Sequence, residues 1–415
     1  MTNTSIITIG DELLIGQVAD TNSAWMAQEL NKAGIRVKRR VAVGDVADDI
    51  RDALDQESVH ADIILITGGL GPTTDDITKP LLCDYFNGKL IVDERALANV
   101  KYLFEEVFKR PLTDRNLKQA EVPDNCTAIP NKRGTAPGMW FERAGKIFVS
   151  MPGVPQEMKG MMEDDVIPSL IKRFSFPHIT HRTLVTFGIG ESLIADMILD
   201  FETSLPAHIK RAYLPNYGMV RLRLTSSGMN ADTVDKDINT YFSALQLLVK
   251  VFMISGKDEP MEEVLGHLLL QKNKTMCTAE SCTGGYIAHL ITSVPGSSAF
   301  YNGSVISYSY KAKEELLDVQ EKTLLNKGAV SEEVVLEMVK GALNNVASDY
   351  AIAVSGIMGP NGGTPDKPVG TVWVAVGNNL KQVTRKFHFR FDRQRNIQLT
   401  AMNALNLLRE FVIAD

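Results

Sequence analysis

Residues Asp62-Ile-Ile-Leu-Ile66 run without a polar break after the first, and a polar, glycine-rich stretch follows at once, Thr67-Gly-Gly-Leu-Gly-Pro-Thr-Thr-Asp-Asp76. A strand that is apolar at every position has no wet face, the pattern of a parallel sheet covered on both sides. The preceding chain fits such a sheet. Ser5–Ile9 and Val37–Val43 read as strands. Thr21–Ala33 has helical spacing through Trp25, Met26 and Leu30, with Asp20 or Thr21 as a cap, and Ile50–Glu57 is a second helix. Strands alternating with helices predict an α/β fold with a mostly parallel sheet and helices on both faces. In such sheets ligands bind beyond the carboxyl ends of the strands.

Two polar stretches occupy those ends, Gly10–Asn22 and Thr67–Asp76. Gly68, Gly69 and Gly71 with the threonines suit a phosphate or pyrophosphate held by backbone N–H groups. Asp75 and Asp76 are expected to open a helix. A carboxylate pair beside a phosphate cradle can hold a divalent ion, although acids at a helix start also simply complement its dipole. Neither a Rossmann fingerprint nor a Walker P-loop is present.

The composition shifts between Ile171 and Ser255. Arg182–Phe187 and the alternating Val220-Arg-Leu-Arg-Leu-Thr225 read as strands, Glu191–Phe201 and Asp232–Val249 as helices, together a small α+β module. In the remainder, the β-prone Thr275-Met-Cys-Thr278 leads into Ala279-Glu-Ser-Cys-Thr-Gly-Gly285, and helical spacing through Tyr286, Ile287, Leu290 and Ile291 leads out. A strand, a glycine turn and a helix start display a nucleophile, Ser281 or Cys282, beside N–H groups that favour an anion. Gly303–Tyr308 and Ala351–Val354 read as further strands, and Ser331 as the cap of a helix through Ala347. If these strands are parallel, Ser281, Lys313 and Ser355 gather at one sheet edge, joined by Arg393 from the start of the last helix. A hydroxyl beside a lysine is a nucleophile and base set, provided burial makes the lysine neutral. A solvent-exposed helix lysine is the commoner fate of Lys.

Three motifs in order, Thr67–Asp76, Gly134-Thr-Ala-Pro-Gly138 and Met151-Pro-Gly-Val-Pro-Gln-Glu-Met158, resemble the N-terminal domain of the competence/damage-inducible protein A (CinA) family, which is similar to molybdopterin-binding domains. The resemblance implies nucleotide binding and hydrolysis of ADP-ribose-type pyrophosphates with Mg²⁺, Mn²⁺ or Co²⁺. Asp75, Asp76 and Glu157 would then face the metal. Gly10, Asp11, Asn22, Thr67, Gly68, Gly69, Gly71, Thr73, Lys79, Asn116 and Gly153 would line the nucleotide site. The middle module resembles a KH-like connector, without the basic G-x-x-G loop that grips nucleic acid.

Ala279–Gly285, Tyr308-Ser-Tyr-Lys-Ala-Lys313, Ser355-Gly-Ile-Met-Gly-Pro-Asn-Gly-Gly363 and Lys367–Trp373 look like the nicotinamide-nucleotide amidase family. That family hydrolyses nicotinamide mononucleotide (NMN) to nicotinate mononucleotide and ammonia in pyridine nucleotide salvage, without a cofactor. The resemblance makes Ser281 the nucleophile, Lys313 its base and Tyr308 an orienting or proton-transferring group. Thr283, Gly284, Gly285, Ser355, Gly356, Gly359 and Arg393 would hold the substrate. Phe391 stands where Gly is usual, and Gln398 where a second Arg often follows, so the phosphate would be held less tightly or by another group.

The expected domains are 1–170, 171–255 and 256–415. A net charge of −6 and the lack of a long basic run argue against a nucleic-acid or anionic-membrane partner. The four cysteines have no zinc-type spacing and read as buried thiols in a reducing compartment. No apolar run is long enough to cross a bilayer, so a cytoplasmic protein is expected. A homodimer is the expected assembly, and NMN and ADP-ribose are the expected small-molecule partners. A nucleotide- or cofactor-binding protein tied to competence or DNA damage, with one or both activities lost, is the competing reading. That reading would want a basic stripe with aromatic residues, which the sequence lacks.

Overall fold

A computed structural model of the chain describes residues 2–73 and 76–415. These divide into two compact units, one formed by 1–180 with 226–237 and the other by 181–225 with 238–415.

The first unit is built on β1 (Asn3–Ile9), α1 (Thr21–Lys32), β2 (Arg36–Val43), α2 (Ala47–His60), β3 (Ile63–Thr67), α3 (Thr78–Tyr85), α4 (Glu94–Tyr102), β4 (Thr127–Ile129), β5 (Gly138–Arg143), β6 (Lys146–Met151) and α5 (Pro155–Met161). The strand order is β2-β1-β3-β6-β5-β4. The pairs β2/β1, β1/β3 and β3/β6 are parallel, and β6/β5 and β5/β4 are antiparallel. Alternation within the apolar runs feeds two cores. Ile7, Ile64, Ile66 and Phe148 pack on one face, and Ile6, Ile63, Leu65 and Val149 on the other. Asp20 caps α1, its carboxylate accepting from the Ser23 N–H at 2.9 Å. The helix expected to open at Asp75 and Asp76 begins at Thr78.

The second unit contains a four-stranded sheet of order β8-β9-β7-β10, with β7 (His178–Phe187), β8 (Ile209–Asn216), β9 (Met219–Gly228) and β10 (Met253–Ser255). The expected helix Glu191–Phe201 is two short ones, Glu191–Met197 and Leu199–Ser204, broken at Ile198. This is the KH-like connector. Beyond it lie α6 (Met261–Gln271), β11 (Met276–Glu280), α7 (Tyr286–Thr292), β12 (Tyr301–Ile306), α8 (Tyr310–Leu317), α9 (Glu332–Val346), β13 (Tyr350–Gly356), β14 (Thr371–Gly377), β15 (Gln382–His388) and α10 (Arg393–Ala414). Strand order is β12-β11-β13-β14-β15, parallel across the first three and antiparallel thereafter. One face is lined by Met276, Ile352, Val354, Val372 and Val374 under α6 and α10. The other carries the small Cys277, Ala279, Ala351, Ala353 and Ala375, which let α9 approach closely. Ser331 sits at the N-cap of α9, but its hydroxyl donates to Gly328 O instead of capping the helix. Among the described residues no helix is long and apolar enough to cross a membrane.

Candidate active site

The register of the three parallel strands builds the centre. Glu280 at the end of β11 pairs with Ile306 of β12 and Val354 of β13. The next residue on each strand is a serine, so Ser281, Ser307 and Ser355 lie level at the carboxyl edge. The backbone confirms it: Ser281 N donates to Val354 O at 3.1 Å, and Ser307 N to Glu280 O at 2.9 Å.

Lys313 comes from α8, whose first turn is capped by the Ser309 hydroxyl. Its side chain is fully buried, and its Nζ lies 2.8 Å from Ser281 Oγ, 2.6 Å from Ser307 O and 3.4 Å from Tyr308 O. The exposed-lysine alternative therefore does not apply. Burial strips water from the ammonium and pulls its pKa down to about 8. A neutral amine here can give N–H groups to the two carbonyls and turn its lone pair on the Ser281 hydroxyl. Sequence reasoning missed Ser307. Only strand register brings its carbonyl to the amine.

Cys282, the other candidate nucleophile, packs into the apolar core, and burial pushes its thiol up to about 12. A thiol so disfavoured from ionising is a structural side chain.

The helix start after Ser281 departs from expectation. The N–H groups foreseen as an anion cradle are turned on a residue of the chain itself. Glu280, fully buried, accepts from Gly285 N at 3.0 Å, Ile287 N at 3.1 Å, Ala288 N at 2.8 Å and Thr283 Oγ1 at 2.6 Å. Its carboxylate supplies the anion that the dipole of α7 attracts. Gly284 N donates to Ser281 O. Thr283 and Gly285 thus shape the nucleophile's turn, and these donors are taken up by Glu280. Strand alternation explains this: Glu280 falls on the same face as Met276, the face α7 covers. Glu280→Gln puts an NH₂ among donors that need an acceptor. It is expected to lower turnover by on the order of 100-fold through misplacement of Ser281, with KM little changed and the pH midpoint kept. Steady-state kinetics of the folded variant check this.

The remaining predicted residues form the rim. Arg393, the first residue of α10 after its Asp392 cap, donates from Nη1 to Gly359 O at 2.8 Å and from Nη2 to Tyr308 Oη at 3.3 Å. The Tyr308 hydroxyl, on an exposed ring, accepts from Arg393, while the Tyr308 carbonyl accepts from Lys313. Ser355 is buried and donates to Ala329 O at 2.7 Å. Gly359 has φ +86, and a Cβ there would meet Val369 at 2.6 Å; Gly356 is as tightly packed against Val372 and Met358. Phe391 is half exposed and carries the Arg395 guanidinium 4.3 Å above its ring. Gln398 lines a shallow hollow with Thr283, Gly284 and Tyr286.

In the first unit, Gly10, Gly68, Gly69, Gly71, Gly153, Asp76 and Glu157 line one cleft of about 400 Å³, joined by Glu12 and Asp45. Asp75 lies outside the described residues. Asp76 accepts from Thr73 N at 2.9 Å, and also from the Thr73 hydroxyl. Glu157 accepts from Asn131 Nδ2 at 2.7 Å, and burial raises its pKa. Both carboxylates lie where only glycine leaves room: a Cβ on Gly71 would fall 2.5 Å from Asp76 Oδ2, and one on Gly134 2.1 Å from Glu157 Cδ. The other predicted residues make hydrogen bonds within the chain. Asn22 donates to Gly153 O, Thr67 to Pro152 O, and Asp11 exchanges bonds with Asp45. Lys79, lowered to about 8 by burial, donates to Lys118 O and Gln119 O. Asn116 closes a capping box with Thr113 through its Oδ1 and its backbone N–H. Among the described residues no three His, Cys, Asp or Glu side chains already form a metal-ready group. The cleft's chemistry, several carboxylates with no basic side chain among the described residues that line it, suits a hard divalent cation.

Comparison with known proteins agrees with this layout. Residues 5–172 match the family described as probable molybdopterin binding domain, 181–251 the damage-inducible protein CinA KH domain, and 258–412 the CinA C-terminal domain. The chain is 45% identical over 404 residues to a CinA-like protein of Cytophaga hutchinsonii, covering 97% of this chain and 96% of that one. It is 42% identical over 412 residues to a CinA-like protein of Flavobacterium psychrophilum, covering 99% of both. Among solved structures, a competence-damaged protein (CinA) superfamily protein from Klebsiella pneumoniae is 33% identical, covering 38% of this chain and 100% of that one, with a TM-score of 0.37.

Proposed function

This chain belongs to the CinA family, and from that premise we propose that its C-terminal part deamidates NMN to nicotinate mononucleotide and ammonia. The observation that carries the reading is the buried 2.8 Å contact between Lys313 Nζ and Ser281 Oγ. Ser281 Oγ attacks the carboxamide carbon while neutral Lys313 takes the hydroxyl proton. The C–N bond then breaks, the same proton goes to the departing nitrogen, and ammonia leaves an ester on Ser281. A water molecule adds to the ester carbon, giving its proton to Lys313. Lys313 returns that proton to Ser281 Oγ as nicotinate mononucleotide departs. Arg393, at the rim, carries the charge that suits the 5′-phosphate. Ammonia release from NMN by the purified protein tests the reading. Its absence in the folded protein sinks it.

For the N-terminal cleft we propose hydrolysis of an ADP-ribose-type pyrophosphate. Asp76 and Glu157 would hold a divalent ion there. A bound ion would neutralise the pyrophosphate and polarise a phosphoryl oxygen. The glycine-lined walls let the phosphates come close to the backbone. Asp76→Asn is expected to reduce metal-dependent AMP release from ADP-ribose by roughly 100-fold or more and to leave NMN deamidation unchanged. Equal loss of both activities would count against two separate centres.

A further inference from the structure

The first unit has an open apolar edge. Leu90–Val92, just before α4, is a short strand paired antiparallel with Glu121–Pro123, and the two form a sheet of their own. A two-stranded ribbon is marginal by itself, and an apolar edge strand left in water is a template for another chain. Leu90, Ile91 and Val92 are 42%, 49% and 47% exposed, three large apolar residues in a row.

Hydrogen bonding identifies the open groups. Asp124 N donates to Lys89 O at 2.8 Å and Asp93 N to Ala120 O at 3.0 Å. Every second residue of an antiparallel strand bonds to one side, so Lys89, Ile91 and Asp93 bond toward Glu121–Pro123. Leu90 and Val92 turn their N–H and C=O groups the other way, where no third strand pairs with them among the described residues. The far edge of the ribbon is blunted: Val122 and Pro123 are buried, and Pro123 has no N–H to give.

The sequence around the open edge, Lys89-Leu-Ile-Val-Asp93, complements itself. A two-fold axis through Ile91 sets Ile91 opposite its own copy and Leu90 opposite Val92. Each Leu90–Val92 pair then exchanges main-chain bonds through the groups that point outward. Lys89 of each copy falls opposite Asp93 of the other, a favourable cross-strand charge pair. A register centred on Leu90 or on Val92 would set a charge against Ile91 instead. Lys89 is exposed, and Asp93 caps α4 through Oδ1 alone among the described residues, 2.9 Å from Ala96 N.

We propose that Leu90–Val92 docks on the same strand of a second copy of this chain, antiparallel about Ile91, so that two ribbons become one four-stranded sheet. The contact uses the same patch on both copies, so it closes as a dimer and leaves no edge to propagate. Three apolar side chains from each copy make a small contact, of the class that associates in the micromolar range.

Sedimentation velocity of the full-length protein from about 1 to 100 µM tests it, beside variants that thermal melts show to be folded. Ile91→Asp puts two carboxylates on the axis and is expected to weaken association by about a hundredfold or more. Leu90→Pro removes an outward N–H and none that bonds to Glu121–Pro123, and is expected to weaken it by about tenfold. Val251→Asp, at an apolar residue of the second unit that is 90% exposed, is the control and should change nothing. Ile91→Cys reads the register, because Cα atoms facing each other at a non-hydrogen-bonded position are about 4.5 Å apart, within disulfide reach. The thiol oxidant diamide is expected to join two chains there at least about tenfold faster than through Val251→Cys, with the unaltered chain as the blank. A protein that stays monomeric over the whole range overturns the proposal. So does undiminished association in the folded Ile91→Asp and Leu90→Pro variants, and so does an Ile91→Cys chain that joins no faster than Val251→Cys.

Discussion

Ser281→Ala is expected to cut ammonia release from NMN by roughly a thousandfold or more, because among the described residues the Ser281 hydroxyl is the one side-chain group hydrogen-bonded to Lys313 Nζ. Cys282→Ala is the matched control. Cys282 is buried in the core with its thiol pushed up to about 12, so its removal should leave turnover nearly intact and cost stability of only ~1 kcal/mol. Initial rates and thermal melts of both variants decide between them. An active Ser281→Ala beside an inactive, folded Cys282→Ala would reverse the assignment of the nucleophile.

Lys313 carries the second large effect, and it has a pH signature. The base works only when neutral, so kcat/KM should rise with pH through about 8 and then level off. Lys313→Met should lose roughly a thousandfold or more of the activity at every pH. Lys313→Arg should fail as well, since a guanidinium keeps its proton. Stability follows the same proton. The folded pKa is about 8, below the 10.5 of the free side chain, so between those values the unfolded chain binds the proton more tightly. The cost of burying the charge is therefore full below pH 8 and is relieved as pH rises toward 10.5. Measured against Lys313→Met, the wild type should gain about 3 kcal/mol over that interval, from ~1.4 kcal/mol per pKa unit. Denaturant titrations at pH 7 and 10.5 read this difference directly. A difference that does not change with pH would mean that the buried amine is not shifted and could not serve as the base.

Much of the fold was open to sequence reading because its signals are local. Ile63–Ile66 declares a doubly covered strand, Asp20 declares the start of α1, and Ala279–Gly285 declares a strand, a turn and a helix within a few residues. Where local signals compete, the reading was less sure. Glu191–Phe201 has continuous helical spacing, yet the chain breaks at Ile198, which buries its side chain in the connector's own core. Asp76 looks like a helix-opening acid, yet its carboxylate closes on Thr73 and the helix waits for Thr78.

The sequence by itself determined the alternating α/β plan and put Ser281 at a strand end followed by a glycine turn. It also brought Lys313 and Arg393 under suspicion. Tertiary structure decided what each of these groups meets. The pairing of Glu280 with Ile306 and Val354 levels three serines and offers the Ser307 carbonyl to the lysine. The side of β11 on which Glu280 falls gives the N–H groups of α7 to a buried carboxylate, where a free anion site had been expected. The physical reason is one of range. Periodicity and capping act over a few residues and are written in order along the chain. Burial, register and the shift of a lysine's pKa come from groups tens of residues apart, whose meeting exists only once the sheet is assembled.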